Sequence, residues 1–285
     1  MCKNLKSLDK LEYYDVTSNN PLFIRLEKPR GEKLYHYTSN INANSILSNN
    51  CLWVTRSDYL DDNIEIKYIC KVLNGAILYL QKNKKLYDVG FKDQDLIFRA
   101  IINTLVALNS IYEKTTPIFD AHIYILSLTE NKDNMYLLDN YAGKNGAILE
   151  FLNKPNYIFE NDDLKKSKSL ILCAKVIYDY GEQLTLLLKE INEFYIELIN
   201  NLENTNWLND LEEVLETIKS VIYMKIINYS LFFKHKDFSR EEECRIAFIV
   251  GDKCSNELVK YRIKGEKTIP YIEVKFSRKG LKVID

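Results

Sequence analysis

Glu241-Glu242-Glu243-Cys244-Arg245-Ile246-Ala247-Phe248-Ile249-Val250 is the stretch on which the fold turns. Its second half reads as a strand: Cys244, Ile246, Phe248 and Val250 form one apolar face, the period-2 signature of a pleated element. Two long helical patterns precede it. Residues 182 to about 203 set Leu184, Leu187, Ile191, Phe194, Leu198 and Leu202 on one stripe. After Asn204-Thr205-Asn206 a second helix runs from about Trp207 to Phe233. A strand that returns after such a pair, followed by strands at Glu257–Ile263 and Tyr271–Phe276, makes the antiparallel helices near 182–233 an insertion in a sheet. The expected fold is α+β, a mixed or antiparallel sheet core with helical insertions in one domain over 1–285.

Outward from there, the first half of the chain supplies more of the same sheet. A polar lead-in reaches about Asn20. Leu22 to Leu26, Lys33 to Tyr37 and Cys51 to Thr55 read as strands, with Ser39 as the cap of a short helix between the last two. Apolar positions at helical spacing run from Asp62 to about Asn83 and from Gln94 to Tyr112. His122–Leu128, Gly146–Phe151 and Leu170–Tyr178 read as further strands, and the charged stretch Glu160 to Ser169 as a loop.

Composition excludes several classes. Glycine is scarce, 9 in 285 residues, and neither a G-x-G-x-x-G nor a G-x-x-x-x-G-K-[ST] occurs, which argues against dinucleotide-binding and P-loop folds. The formal net charge is -1, so no global field draws the chain to a polyanion. The charge is unevenly spread, however: residues 182–220 hold nine acids and two lysines, whereas 257–285 hold eight bases and four acids. The basic end includes Arg262, Lys264, Lys267, Lys275, Arg278, Lys279 and Lys282. Six cysteines occur without a C-x-x-C pair, and only three histidines, so a structural zinc site is not expected. Scattered thiols without a signal peptide point to a reduced, cytoplasmic protein, and no apolar run approaches a membrane span.

Four groups of residues are able to carry chemistry. In Leu34-Tyr35-His36-Tyr37-Thr38-Ser39, His36 and Thr38 share one face of a strand and Tyr35 and Tyr37 the other; the pair His36/Thr38 suits a polar ligand, or else a structural histidine beside a helix cap. Arg56 to Glu65 gathers four acids at a strand-to-helix corner, where Asp61 or Asp62 can cap a helix with Glu65 three residues after Asp62. Tyr141 stands beside a tight Gly143–Gly146 connection, placed to pack or to stack on a ligand ring. Finally Glu241, Glu243 and Arg245 read as one strand face, with the carboxylates about 7 Å apart at the rise of an extended chain. Such a row is either an ion pair on an open sheet or an acid poised beside a substrate, with an arginine holding its charge.

In this order the four groups resemble a bacterial family known as domain of unknown function 2971. The resemblance rests on His36-Tyr37-Thr38-Ser39, Ile46-Leu47, Leu52-Trp53, Leu60 to Glu65, Tyr141 with Gly146, Glu241 to Arg245 and Ile269-Pro270-Tyr271-Ile272, spanning roughly 33–276. Departures are Asp61, Asn63, Tyr136 and Cys244, none of which removes a charged member. A more distant similarity is to ADP-ribosyltransferases, nearest in pattern to DNA-modifying bacterial toxins. That resemblance implies an enzyme that takes NAD as substrate. His36 and Thr38 would hold NAD, with Tyr37, Arg56, Asp62 and Arg245 around it, and Tyr141 would stack on nicotinamide. Glu243 would be the catalytic acid, with Glu241 as its rival. The implied role is that of a toxin or antiphage effector modifying nucleic acid or protein. The alternatives are a non-catalytic nucleic-acid- or ligand-binding module of a defence system, and a metal-dependent nuclease built on Glu241, Glu243, Asp62 and Glu65.

Overall fold

The structure is a computed structural model that describes residues 26–60, 66–114, 121–143, 145–153, 170–203, 205, 207–251, 257–276 and 281–284. Its fold is α+β. Strands β1 (Lys33–Ser39), β2 (Cys51–Arg56), β3 (Ala121–Thr129), β4 (Gly146–Leu152), β5 (Leu170–Lys175), β6 (Glu243–Gly251), β7 (Val259–Lys264), β8 (Lys267–Lys275) and β9 (Leu281–Ile284) form one sheet. Every strand pairing among the described residues is antiparallel.

The described α-helices are α1 (Asn40–Asn49), α2 (Ile69–Lys82), α3 (Gln94–Lys114), α4 (Met135–Leu137), α5 (Tyr180–Leu202) and α6 (Leu211–Phe232). Ser39 caps α1 as its sequence position predicts, its Oγ accepting from Asn42 N at 3.3 Å. Asp179 does the same for α5 through Glu182 N at 2.8 Å. Helix α2 begins later than its periodicity suggests, after a 3₁₀ turn at Ile66–Tyr68. Strand β5 stops at Lys175 rather than Tyr178, and β9 has no counterpart in the sequence reading. The expected strand from Leu22, the helix start at Asp62 and the loop 160–169 fall on or run into residues outside those described.

Two cores lie on opposite faces of the sheet. One packs α2, α3, α5 and α6 against Ile123, Ile125, Leu172 and Ala247. By length and composition α3 would be apolar enough to cross a membrane, but its stripe Ile97, Ile101, Leu105, Leu108 and Tyr112 is buried in this core. The long pair α5 and α6 is tied by a buried Lys225–Glu190 ion pair at 2.5 Å, and each also packs on α2 or α3. The second core gathers Leu34, Leu52, Val54, Leu126, Leu128, Leu149, Ile246, Phe248, Ile272 and Phe276 from both arms of the sheet, around which the sheet curls.

Candidate active site

The central strand β3 creates the site by forking the sheet. One edge of β3 is fully taken by β6, from Ala121↔Gly251 to Thr129↔Glu243. The other edge is shared: β2 pairs at Thr55↔Ile125 and Arg56↔Tyr124, and β1 only at Tyr35↔Thr129. In continuous register β1 and β2 would claim the same positions of β3, so both diverge from it around Ser127. Ser127 is accordingly exposed within a strand whose neighbours are buried. The carbonyl of Ser127 is met by the ring of His36 (Nδ1···O 3.1 Å). Its hydroxyl donates to Glu243 Oε1 at 2.6 Å. Ser127 therefore connects the early histidine motif to the late acidic one, a link that no sequence spacing reveals.

Behind Ser127 lies a compact cluster of charge. Arg245 grips Glu243 in a bidentate pair (Nε–Oε1 2.9 Å, Nη2–Oε2 2.8 Å) and donates a further bond to the Leu231 carbonyl at 2.7 Å. Lys234, at the end of the α6 segment, bridges both acids, 2.6 Å from Glu241 Oε2 and 3.4 Å from Glu243 Oε2. The remaining oxygen of Glu241 accepts the Tyr141 hydroxyl at 2.8 Å. Tyr178 closes the floor, its hydroxyl accepting from Glu243 N at 3.0 Å. Glu241, Glu243, Lys234 and Arg245 are all buried, while Tyr141 is 55% exposed. Two anions meet two cations, so the cluster is neutral as a unit.

Glu241 and Glu243 do not share a strand face, contrary to the extended reading. Glu241 ends a 3₁₀ turn (Lys236–Glu241), and Glu242 adopts a left-handed conformation, φ 47°, before β6 begins at Glu243. Asn131 Nδ2 holds the Glu242 carboxylate at 2.7 Å. This kink brings both carboxylates within reach of one lysine. The two then titrate in opposite directions. Burial drives Glu241 above the ordinary value of 4.5, more than Lys234 and the Tyr141 hydroxyl offset. Burial acts on Glu243 too, but there Arg245 and Lys234 prevail and hold it down to about 2.

Tyr141 is carried by a π turn, Leu138–Ala142, that extends α4. Such single wide turns concentrate at functional sites because they rotate one side chain out of the helical register. Asn134 fixes the start of this segment: its Oδ1 caps Leu137 N at 3.0 Å and its Nδ2 donates to the Arg240 carbonyl at 2.9 Å. Tyr37 braces it from below, its hydroxyl donating to the Asn131 carbonyl and accepting from Asn134 N. The end closes at Gly143, φ 75°, a conformation that suits glycine. Beside the cluster a cleft of about 510 Å³ opens between Thr129, Asn131, Lys175, Tyr178 and Glu243.

The structure thus brings Tyr141, Glu241, Glu243 and Arg245 together and adds Lys234, Ser127 and Tyr178, which the sequence reading missed. Across three strands the register Tyr35↔Thr129↔Glu243 sets Tyr35 and Tyr37 on the same face as Glu243. His36 and Thr38 start from the opposite face; His36 reaches the fork through its ring, and Thr38 is buried beside β4. Arg56 is engaged by Asp58 (Nε–Oδ1 2.7 Å, Nη2–Oδ2 2.9 Å) and lies over the Tyr59 ring. Asp62 and Glu65 lie outside the described residues. Among the described residues no three His, Cys, Asp or Glu side chains are grouped to hold a metal ion.

No curated protein and no solved structure matches the chain. A family model, "Protein of unknown function (DUF2971)", matches residues 138–246, which run from the π turn through Tyr141, Lys234, Glu241 and Glu243 to the start of β6.

Proposed function

We propose that the chain is an NAD-consuming enzyme of the ADP-ribosyltransferase kind, a bacterial toxin or antiphage effector, with Glu241 as its working carboxylate. The observation that carries this reading is the Tyr141–Glu241 pair, a buried acid that accepts the hydroxyl of a half-exposed aromatic residue. Glu241 is held by Lys234 and the Tyr141 hydroxyl, whereas Glu243 is held by Ser127, Lys234 and Arg245 together. Glu243 then acts as the fixed anion that keeps both cations in place.

The chemistry follows from that division. In NAD the bond between the nicotinamide nitrogen and ribose C1 breaks, and nicotinamide leaves with the electron pair. Positive charge builds on the ribose, where an ionised carboxylate in a water-poor pocket stabilises it strongly. A hydroxyl, amide or water of the acceptor bonds to C1, and its proton passes to Glu241, whose raised pKa suits it to receive one. Tyr141 offers a ring to stack on nicotinamide. His36 is pushed by burial toward its neutral form; with Nδ1–H donated to Ser127, its Nε2 is an acceptor fit for a ribose hydroxyl.

The test is nicotinamide release from NAD by purified protein, with and without DNA, RNA and cell extract. Release that falls at least a hundredfold in folded Glu241→Gln and His36→Ala supports the reading. Full release from Glu241→Gln, or none from folded wild type under any of these conditions, overturns it.

A further inference from the structure

The outer face of β7-β8-β2 carries a concentration of charge that the net charge hides. Register fixes which side chains share it: Lys260↔Tyr271, Arg262↔Ile269 and Lys264↔Lys267 across β7 and β8, then Tyr271↔Thr55, Glu273↔Trp53 and Lys275↔Cys51 across β8 and β2. One face of three strands therefore displays Lys260, Arg262, Lys264, Lys267 and Lys275 against a single acid, Glu273. The opposite face supplies Leu52, Val54, Ile272 and Val274 to the core. Lys264 and Lys267 sit directly opposite each other across the Gly265-Glu266 turn, a like-charge pairing that disfavours the hairpin on its own.

Among these cations stands a flat aromatic platform. Trp53 is 43% exposed and stacked on Tyr271, centroids 4.7 Å apart at 29°. The Arg262 guanidinium lies 6.0 Å and 5.9 Å from the two ring centroids and donates to Thr55 Oγ1 at 2.9 Å. Its Nε is buried without a hydrogen-bond partner among the described residues. Tyr271 covers one side of the indole, so the stack is completed only by a further planar group.

We propose that this face binds single-stranded nucleic acid, one base stacking on Trp53 while neighbouring phosphates are met by Arg262, Lys264, Lys267 and Lys275. An exposed indole set in a row of cations matches a strand of alternating aromatic bases and anions, and stacking is tolerant of base identity. Lys260 is already paired with Glu273 at 2.6 Å and contributes less. The inference stands independently of the NAD reading; where both hold, the bound strand is the acceptor.

The experiment is fluorescence anisotropy of a labelled twelve-nucleotide oligonucleotide, in the absence of NAD, with the intrinsic tryptophan signal read in parallel. Only Trp53 and the buried Trp207 emit. Expected are quenching on binding, a log–log salt slope of about −3 for four phosphates engaged, and about ten- to hundredfold weaker binding for Trp53→Ala. Trp53→Phe, which keeps a ring on Tyr271, retains most affinity. The exposed pair Lys264→Glu/Lys267→Glu flattens the slope without touching the platform. Absence of binding by folded protein at low salt overturns the proposal. Unchanged affinity in both Trp53→Ala and the lysine pair, or a mononucleotide bound as tightly as the twelve-mer, does so as well.

Discussion

Replacing Glu243 by Gln removes one charge from a neutral buried quartet, takes the carboxylate away from Arg245 and leaves Lys234 with Glu241 alone. The magnitude follows from the titration: a carboxylate shifted from 4.5 to about 2 contributes about 3 kcal/mol to stability at neutral pH. That agrees with the roughly 3–5 kcal/mol for breaking one side of a buried ion pair. Because the folded-state pKa lies below the unfolded one, the contribution is complete above the unfolded value and drains as pH falls through the folded one. About 1 kcal/mol is gone by pH 4 and about 2 kcal/mol by pH 3. Urea unfolding of wild type and Glu243→Gln at pH 7, 4 and 3 measures the gap directly. At pH 7 the variant melts roughly 6–12 °C lower, and the difference narrows with acid. A gap under about 1 kcal/mol at pH 7 would refute the inference that this cluster is a coupled ionic unit, as would a gap that does not narrow by pH 3.

The remaining expectations are more local. Tyr141→Phe keeps the ring and removes one hydrogen bond to Glu241, so the melting temperature stays within a few degrees and most nicotinamide release is kept, whereas Tyr141→Ala loses it; full release from Tyr141→Ala would take the ring out of the mechanism. The acidic limb of that activity lies above pH 4.5, because burial raises Glu241 and the ionised form is the one that stabilises the ribose cation; a limb below 4.5 would assign the role to Glu243. Lys225→Met leaves Glu190 buried and unpaired at about 3–5 kcal/mol, whereas Lys225→Met/Glu190→Leu returns near wild type by the same unfolding assay. Ser127→Ala loses the short bond to Glu243 and shifts the acid transition of unfolding upward in pH, by losing a donor to the ionised carboxylate.

How much of this was legible in the sequence differs sharply between elements. The strand return at Cys244–Val250 betrays the α+β architecture because its alternation is strict and follows two long helices. Ser39 announces α1 because a cap is a local device. Glu241 was misplaced for the opposite reason: a left-handed glutamate at 242 leaves no mark that a glycine would have left. Lys234 reads as an ordinary solvated lysine near a helix end, and only the approach of β6 turns it inward. Ser127 is the extreme case. A serine alternating with Leu126 and Leu128 is what any half-exposed strand shows, and its importance arises from two strands competing for one edge of β3.

That competition also explains why a costly arrangement is tolerated. Four buried charges gain nothing over apolar packing in stability alone, and the sheet has ample apolar residues to fill such a volume, as the second core on its other face demonstrates. The charges are kept where the sheet opens, with one acid locked, one acid raised, and a half-exposed tyrosine bonded to the second. If the cluster served only to specify the fold, its two acids would be held alike. The inequality between Glu243, gripped by Arg245, Lys234 and the Ser127 hydroxyl, and Glu241, held by Lys234 and the hydroxyl of the half-exposed Tyr141, is what distinguishes a poised site from a structural ion pair.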